Sequence, residues 1–434
     1  MRPSNITIWL IGLWVALGLL AAFFPQLNIL WEVFGIGFLM ILLIDALAVF
    51  KKPNIDIQHQ VNHNLPIYSW SNIKQIIRNQ SPNNLHLTTH DHYPAGFKVE
   101  SLPEAFSLAP NESVELQYRV KPLARGDFNF SGTDILRRSP WHLWLRKFFY
   151  ENDKNVRVFP DFASISKYIL LATDNRLSQL GIKKRQRRGE GNDFHQLREY
   201  HIGDSLKQID WKASSRLNKL ISKEYQDERD QQVVFLLDCG RRMRHTDEKY
   251  THLDQAINSM LLLAYVAIQQ GDAVGFKSFA GDERWVPPKK GPNVVNNLLH
   301  KTYDLPSTLH SADYLIVAED VLRLQRRRSL IVFVTNTRDD DYDNLVAAIR
   351  LLSVRHLVIL ADLREESLNE FQKQSVTDLD SALQFHATEQ FLHQRQENHR
   401  KLRHLGVICL DVSAEQLPTH LVNEYLNIKR SSKL

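Results

Sequence analysis

The sequence predicts two transmembrane helices, a β-sandwich-like domain and a doubly wound α/β domain in one chain of 434 residues. Two long apolar runs stand at the start, and short alternating runs broken by Gly, Pro and Asn follow them. From about residue 231, strand and helix patterns alternate, which is typical of a mostly parallel sheet. The expected domains are a helical hairpin at 1–52, the sandwich at 53–160, a connecting segment at 161–230 and the α/β domain at 231–434.

Composition excludes several classes of protein. Hydrophobic residues make up 43% of the chain, which is enough for proper cores. A net charge of +5 spread over this length does not mark a nucleic-acid binder. The two cysteines, Cys239 and Cys409, lie too far apart in sequence for a disulfide framework or a cysteine-based zinc site, so we expect reduced, buried thiols.

The apolar runs at 6–24 and 29–50 predict a transmembrane hairpin. The first run would rise about 28 Å, close to one hydrocarbon thickness. Arg2 precedes it and Lys51 and Lys52 follow the second, whereas the connecting loop has no basic residue. The positive-inside rule therefore predicts that both termini and the soluble body lie on the cytoplasmic side of the membrane. A cleaved signal peptide is the alternative, but the second run follows without room for a mature start.

Two carboxylates interrupt the second run. Glu32 is expected near the outer interface, where it reaches water. Asp45 lies near the other end and is expected to snorkel or to pair with Lys51 or Lys52. A functional intramembrane acid is the alternative for Asp45.

The following two domains are predicted from their periodicity. Strand patterns of the sandwich lie at 55–61, 85–89, 114–120 and 156–159. In the α/β domain, strands are expected at 233–237, 273–279, 330–335, 357–361 and 406–412, and helices at 250–270, 294–303 and 312–326. Ligands of such sheets bind at the carboxyl ends of strands, so 238–242 and 335–341 are candidate site segments.

One long motif carries a family resemblance. It reads Arg188-Gly189-Glu190-Gly191-Asn192-Asp193-Phe194, then Leu197-Arg198-Glu199-Tyr200, Gly203-Asp204 and Ile209-Asp210-Trp211-Lys212. With a strand that ends in Asp238 and with Met243 just beyond, it resembles the family called domain of unknown function fifty-eight. The steps at 125–128 and 156–160 are similar to that family too.

The resemblance implies both a fold and a role. Members of the family are membrane proteins with a von Willebrand factor A-like domain, usually encoded beside MoxR-type AAA+ ATPases. A membrane-fixed partner for such an ATPase is therefore implied. The chain departs from the family pattern at Asp193, usually Glu, at Ser205, usually Asp, and at 140–144, where Asp-Pro-Phe-Gly is usual.

Von Willebrand A-type domains bind Mg²⁺ through an Asp-x-Ser-x-Ser motif, a threonine and a later aspartate, and this chain is degenerate there. Asp238 survives, but Gly240 and Arg242 replace the two serines and Asn336 replaces the later acid. We expect no metal, and a pair between Asp238 and Arg241, Arg242 or another basic side chain. Four acids follow Asn336, namely Asp339, Asp340, Asp341 and Asp343. They either rebuild a cation site or form a charged turn before a helix, where the helix dipole favours negative side chains.

Six residues of the signature motif are candidates either for binding a partner or for stabilising the fold. They are Arg198, Glu199, Tyr200, Asp204, Asp210 and Trp211. Ser205 and Gln208 fit a capping box, so a helix is expected to begin there with Leu206, Ile209 and Ala213 facing inward. The structural interpretation joins the charged members, including Asp204, in a buried ion network. The partner interpretation places Asp210 and Trp211 on a docking surface.

Two further patterns have plain interpretations. The basic run at 183–188 is expected to be a solvated loop or to touch anionic lipid, rather than to bind nucleic acid. His86, His90 and His92 would share one strand face, and a zinc site there is the alternative to an exposed face.

These observations predict a non-enzymatic, membrane-anchored scaffold or adaptor without a cofactor. Neither a Gly-x-Ser-x-Gly nucleophile motif nor a phosphate loop is present in the sequence. The expected partners are membrane lipid and, by the resemblance, a MoxR-type AAA+ ATPase, in complex maturation or envelope-related assembly. The alternatives are a metal-dependent enzyme or an ion-dependent receptor that uses the strand tips.

Overall fold

The structure is a computed structural model that describes residues 1–24, 26, 28–102, 104–161, 193–201, 206–226, 231–247, 250–373 and 376–431. Parts of the predicted signature and the basic run before it lie outside the described residues. They are the first five residues of the motif, 188–192, the basic run at 183–188, and residues 202–205, which include Asp204 and Ser205. The chain divides into two compact units, Met1–Phe159 and Pro160–Leu434.

The first unit begins with two apolar helices, α1 (Asn5–Phe23) and α2 (Asn28–Phe50). Both are long and apolar enough to span a membrane, and most of their side chains are exposed. Trp14 of α1 stacks on Trp31 of α2 with ring centroids 4.8 Å apart. A Cβ at Gly18 or Gly35 would lie only 3.0 Å from those rings, so the glycines leave room for the stacking.

The rest of this unit is the β-rich domain expected from its alternating patterns. Its strands are β1 (Arg2–Pro3), β2 (Ile55–Gln60), β3 (Asn64–Pro66), β4 (Ser71–Asn79), β5 (Leu85–His92), β6 (Phe97–Glu100), β7 (Glu104–Leu108), β8 (Ser113–Pro122), β9 (Gly126–Arg138) and β10 (Trp144–Phe159). One sheet runs β1-β10-β9-β5-β7, with β3 added beside β10, and the other runs β2-β4-β8-β6. Both sheets contribute to shared apolar clusters, in which Ile73 and Tyr118 of one sheet meet Phe130 and Val156 of the other.

Asp45 corrects a prediction. Its carboxylate does not pair with Lys51 or Lys52 but accepts the backbone N–H groups of Trp141 and Leu143 at 3.1 and 3.3 Å, and its side chain is buried. The segment that departs from the family pattern, at 140–144, is therefore the segment that packs on α2. The contact was not predictable because almost a hundred residues separate the two partners.

The second unit contains a six-stranded sheet in the order β17-β16-β13-β18-β19-β20. All neighbours are parallel except β17, which is antiparallel to β16 at one edge. The strands are β13 (Gln232–Asp238), β16 (Ala273–Phe279), β17 (Trp285–Lys289), β18 (Leu330–Thr335), β19 (Leu357–Arg364) and β20 (Ile408–Ser413). Among the described residues, two antiparallel strand pairs lie outside this sheet, β11 (Asp193–Glu199) with β12 (Ile221–Gln226) and β14 (Thr246–Asp247) with β15 (Tyr250–Thr251).

Helices cover both faces of this sheet. In chain order, the described helices of this unit are α3 (Trp211–Leu217), next to β12, then α4 (His252–Gln269), α5 (Asn293–Thr302), α6 (Tyr314–Leu324), α7 (Tyr342–Ser353), α8 (Glu366–Lys373), α9 (Leu379–His404) and α10 (Leu417–Arg430). Along β13, Val233, Phe235 and Leu237 pack with α4, α5 and α10, whereas Val234 and Leu236 pack with α6, α7 and α9. Because successive residues of a strand point to opposite faces, a strand buried on both sides must be apolar throughout.

Candidate functional site

The candidate site lies where β13, β18 and β19 end. Asp238, the last residue of β13, is buried, and its Oδ1 accepts the N–H of Gly240 at 2.7 Å. Thr335 at the end of β18 donates its hydroxyl to Asp238 Oδ2 at 2.6 Å. Burial raises the pKa of Asp238, an effect that these two hydrogen bonds and the charge of Arg242 oppose without cancelling.

Arg241 and Arg242 do not form ion pairs with Asp238, so the predicted pairing is wrong. A short turn of 3₁₀ helix at Arg241–Arg244 carries both side chains toward the acidic turn Asp339–Asp341. Arg242 donates to both carboxylate oxygens of Asp340, at 2.8 and 2.9 Å, and also forms an ion pair with Asp341. The neighbouring Arg241 lies 3.6 Å from the same Asp340 carboxylate.

The acidic turn leads directly into α7, as expected for the charged-turn interpretation. Asp343 lies in the first turn of that helix, where a negative charge opposes the positive end of the dipole. Asp339 accepts from the Asn398 amide at 3.0 Å. Three of these four acids therefore have protein partners, with Asp340 and Asp341 held by Arg242.

The residues around Asp238 do not fit a Mg²⁺ ion. The space above the carboxylate amounts to about 10 Å³, roughly one water molecule, and Arg241 and Arg242 line it. A Cβ at Gly240 would lie 2.8 Å from the carbonyl oxygen of His310, so a serine at this position would require the backbone to move. Arg241 and Arg242 thus place positive charge in this region.

Asn336 lies beside the site rather than in it. Its amide donates to Glu365 Oε1 at 2.8 Å, and Arg338 forms an ion pair with the same carboxylate. Burial raises the pKa of Glu365, but the Asn336 hydrogen bond and the Arg338 charge outweigh it, and the pKa is lowered.

A buried ion network at the end of β19 was not predicted. Arg395 of α9 lies 3.0 Å from the carboxylate of Asp362 and donates to Asp411 at 3.1 Å, while His399 is 2.8 Å from Asp362. Burial would raise the pKa of Asp362, yet the charge of Arg395 and the bonds from His399 and Thr337 hold it below its usual value. The sequence signal was weak, since α9 carries no clear apolar stripe.

The described part of the signature segment differs from its prediction. Ser205, the predicted start of a helix, lies outside the described residues; an α-helix begins at Trp211, and Asp210 caps it by accepting the N–H groups of Lys212 and Ala213, both at 3.0 Å. Leu206 faces solvent rather than inward, with 71% of its surface exposed. A single turn of 3₁₀ helix precedes Asp210 at Leu206–Gln208.

Asp204 lies outside the described residues, and the described charged members of the expected network, Glu199 and Asp210, form surface pairs instead. Glu199 accepts from Lys219 at 2.9 Å with both side chains exposed, and Asp210 lies 3.3 Å from Lys223. Arg198 donates to the carbonyl of Glu199 at 3.1 Å. In the backbone, Tyr200 donates to the carbonyl of Leu220 at 2.9 Å. Trp211 is 69% exposed.

The histidines expected on one face of β5 do share it. His86 bonds to the Ser107 hydroxyl at 2.8 Å and His92 to Asp134 at 2.5 Å, while His90 is exposed. Within the described ranges they do not form a group with ligand spacing. A different trio does, namely His245, Asp247 and His252, which sequence reasoning missed.

The segment from β11 to the end of α9 also has relatives. Residues 196–404 match the family described as "Protein of unknown function DUF58". Over 195 residues the chain is 20% identical to "Uncharacterized protein YeaD" of Bacillus subtilis (strain 168), a match that covers 43% of this chain and 44% of that protein. The chain thus matches less than half the length of this relative.

Some solved structures align with about a quarter of this chain. Salmonella alpha-2-macroglobulin reacted with methylamine is 14% identical over 24% of this chain and 7% of its own, with a TM-score of 0.19. PapD-like domain 7 of human CEP192 is 12% identical over 25% of this chain and 90% of its own, also with a TM-score of 0.19. Scores this low carry no argument about fold or function. The family match includes the signature residues from Leu197 to Lys212, so the resemblance to the DUF58 family that the motif indicated is confirmed over this part of the chain.

Proposed function

We propose that this chain is a membrane-anchored, non-enzymatic scaffold whose second unit is a von Willebrand factor A-like, Rossmann-type domain with an arginine in place of its cation. The parallel sheet with helices on both faces supports that assignment. The observation that carries the proposal is the bridge from Arg242 to Asp340 and Asp341 beside the buried Asp238. An ion-dependent domain recruits its ligand through the metal, whereas this bridge presents fixed side-chain charges instead.

The surroundings of the bridge favour protein binding over catalysis. The pocket above Asp238 has room for about one water molecule, not for a substrate. Arg241 and Asp340 are exposed at its rim, with exposed side-chain fractions of 51% and 62%. Mixed charges of this kind at a rim contribute to specificity and to the rate of association.

The proposed setting is the cytoplasmic face of a bacterial inner membrane. The two apolar helices support an anchor, and Arg2, Lys51 and Lys52 support the orientation through the positive-inside rule. By the family resemblance, the proposed partner is a MoxR-type AAA+ ATPase. A reporter fused to the C-terminus should be active only in the cytoplasm, and periplasmic activity would overturn this orientation.

The partner is tested by photo-crosslinking of the full chain in cells that contain a MoxR-type ATPase. A photoreactive amino acid replaces Arg241 at the rim or Trp211 in the signature segment, and Val354 serves as the control. Val354 is 86% exposed and follows α7, about 18 Å along that helix from the acidic turn. We expect ATPase crosslinks from at least one test position and none from Val354. Their absence from both test positions would overturn the partnership.

The bridge itself is tested by Arg242→Gln, with Arg350→Gln as the matched control on an exposed position of α7. We expect Arg242→Gln to lower recovery of the ATPase from detergent extracts while the control does not. Magnesium titration of the unaltered chain by calorimetry is the second readout. Mg²⁺ binding that Asp238→Ala abolishes would reject the scaffold proposal in favour of the ion-dependent alternative.

A further inference from the structure

The trio His245, Asp247 and His252 is brought together by a short hairpin. In the β14–β15 pair, Thr246 lies opposite Thr251, and the N–H of His252 donates to the carbonyl of His245 at 2.8 Å. His245 and His252 are therefore the next cross-strand pair. Because strand side chains alternate between faces, Asp247 lies on the same face as His245. Three residues with metal-binding side chains are thus placed on one face by the ladder itself.

The ligand atoms are close enough for a single ion. His245 Nε2 lies 3.0 Å from Asp247 Oδ1, and His252 Nε2 lies 2.8 Å from Asp247 Oδ2. All three ligand atoms lie within 4.8 Å of one another. Two ligands that are each 2.0–2.1 Å from a tetrahedral ion are separated by about 3.3 Å, so small side-chain rotations suffice.

The environment suits a metal ligand set more than a solvated polar cluster. His252 is fully buried, and its Nε2 points at the Asp247 carboxylate rather than at solvent. Asp247 also accepts the N–H of Glu366 at 3.2 Å, so its carboxylate is oriented from a second element. The ring of His245 is 38% exposed, which leaves a path for an ion and a position for water.

We propose that His245, Asp247 and His252 bind one transition-metal ion, for which Zn²⁺ is the best fit. Two imidazole nitrogens and one carboxylate are ligands that Zn²⁺ accepts, whereas Mg²⁺ prefers oxygen alone. Three protein ligands leave a fourth position for water. The bound ion would link the β14–β15 pair to the first residue of α4, and Asp247 would link both to the start of α8. This site is separate from the degenerate position at Asp238 and does not rest on the proposed scaffold function.

The test uses the full chain in mild detergent, purified without a polyhistidine tag and stripped with a chelator. Zn²⁺ and Co²⁺ are added separately, and binding is followed by calorimetry and by the visible absorption of bound Co²⁺. We expect one Zn²⁺ ion per chain, a tetrahedral Co²⁺ spectrum and a higher melting temperature with Zn²⁺. His245→Gln should weaken binding by more than the roughly 10–100-fold typical of second-shell changes.

His245→Gln is the primary variant because His245 is partly exposed and its loss spares the core. Asp247→Asn is the second variant, and His90→Gln, an exposed histidine of β5, is the matched control that should bind as the unaltered chain does. Circular dichroism confirms that each variant is folded. Failure of the stripped chain to bind Zn²⁺, or equal binding by His245→Gln and His90→Gln, would overturn the site. Preference for Mg²⁺ over Zn²⁺ would overturn it too.

Discussion

Replacing Arg395 with methionine removes the cation that lies against the buried carboxylate of Asp362. Arg395 is 4% exposed and Asp362 is fully buried, with 3.0 Å between the guanidinium and the carboxylate. Arg395 also donates to the backbone carbonyls of Thr337 and Leu363, at 3.2 and 3.1 Å. Loss of one partner from a buried ion pair costs about 3–5 kcal/mol, because the other charge stays buried without compensation. We expect the second unit to lose that much free energy of unfolding at pH 7.

The same network makes a prediction about pH. Because the pKa of Asp362 is lowered in the folded state, its contribution to stability is present above the unfolded pKa of about 3.9 and is lost as pH falls through the folded value. In Arg395→Met, the positive charge that opposes the effect of burial on Asp362 is lost, so the pKa of Asp362 should rise above its usual value. The difference between variant and unaltered chain should then be largest at neutral pH and shrink in acid.

The assay is urea unfolding in mild detergent, read by pulse proteolysis, which reports the fraction of the second unit that has opened. Arg400→Met is the matched control, since Arg400 lies on the same helix, is 66% exposed and forms a surface ion pair with Glu397, one helical turn away. It should change the free energy of unfolding by less than about 0.5 kcal/mol. Adding Asp362→Asn to Arg395→Met should recover part of the loss. Equal effects of Arg395→Met and Arg400→Met would refute this reasoning.

Three further predictions concern single positions. Asp45→Ala leaves two backbone N–H groups without their acceptor and should destabilise the first unit by about 1–3 kcal/mol in thermal unfolding, whereas Glu32→Ala should have little effect. Gly275→Ala places a Cβ 2.4 Å from the carbonyl oxygen of Val286 and should cost about 1–3 kcal/mol in urea unfolding of the second unit. Burial and the charge of Arg355 lower the pKa of His356 to about 4, so stability should fall between pH 6.5 and 4 by up to about 1.4 kcal/mol per pH unit, and His356→Leu should flatten that slope.

Each of these has a result that would contradict it. Equal melting temperatures for Asp45→Ala and Glu32→Ala would mean that Asp45 does not hold the 141–143 segment. An unchanged urea midpoint in Gly275→Ala would show that the neighbouring strand yields without cost. The same slope between pH 6.5 and 4 in His356→Leu would assign the acid sensitivity to another group.

The strands of the α/β unit were largely predictable, because strands buried on both faces must be apolar over their whole length. The predicted limits 273–279 and 330–335 are those observed. Helix α9 (Leu379–His404) was not predicted, since its charged and polar residues follow no apolar stripe and its contacts to the sheet include the ion pairs of Arg395. Strand β17 (Trp285–Lys289) contains two adjacent prolines, which a sheet tolerates at an edge but not in its centre.

The candidate site was predictable in position but not in its partners. Asp238 follows a strongly apolar strand, so its place at the strand tip could be inferred from the sequence. The direction of Arg242 could not, because the 3₁₀ turn that carries it depends on a hydrogen bond from Arg241 to His310, far along the chain. The Asp362–Arg395 pair likewise joins β19 to α9, and no sequence pattern within either element indicates the other as its partner.

The close packing between the apolar hairpin and the β-rich domain has a consequence for biosynthesis. The Thr7 hydroxyl donates to the carbonyl of Leu143, which is 136 positions later in the chain, and Arg2 lies opposite Leu145 in the β1–β10 ladder. During synthesis, residues 2–7 must therefore wait for β10 to emerge from the ribosome before their structure is complete. A fragment that stops before residue 140 would have an aspartate in its second helix without either of its backbone donors, so such a fragment should be degraded faster than the full chain.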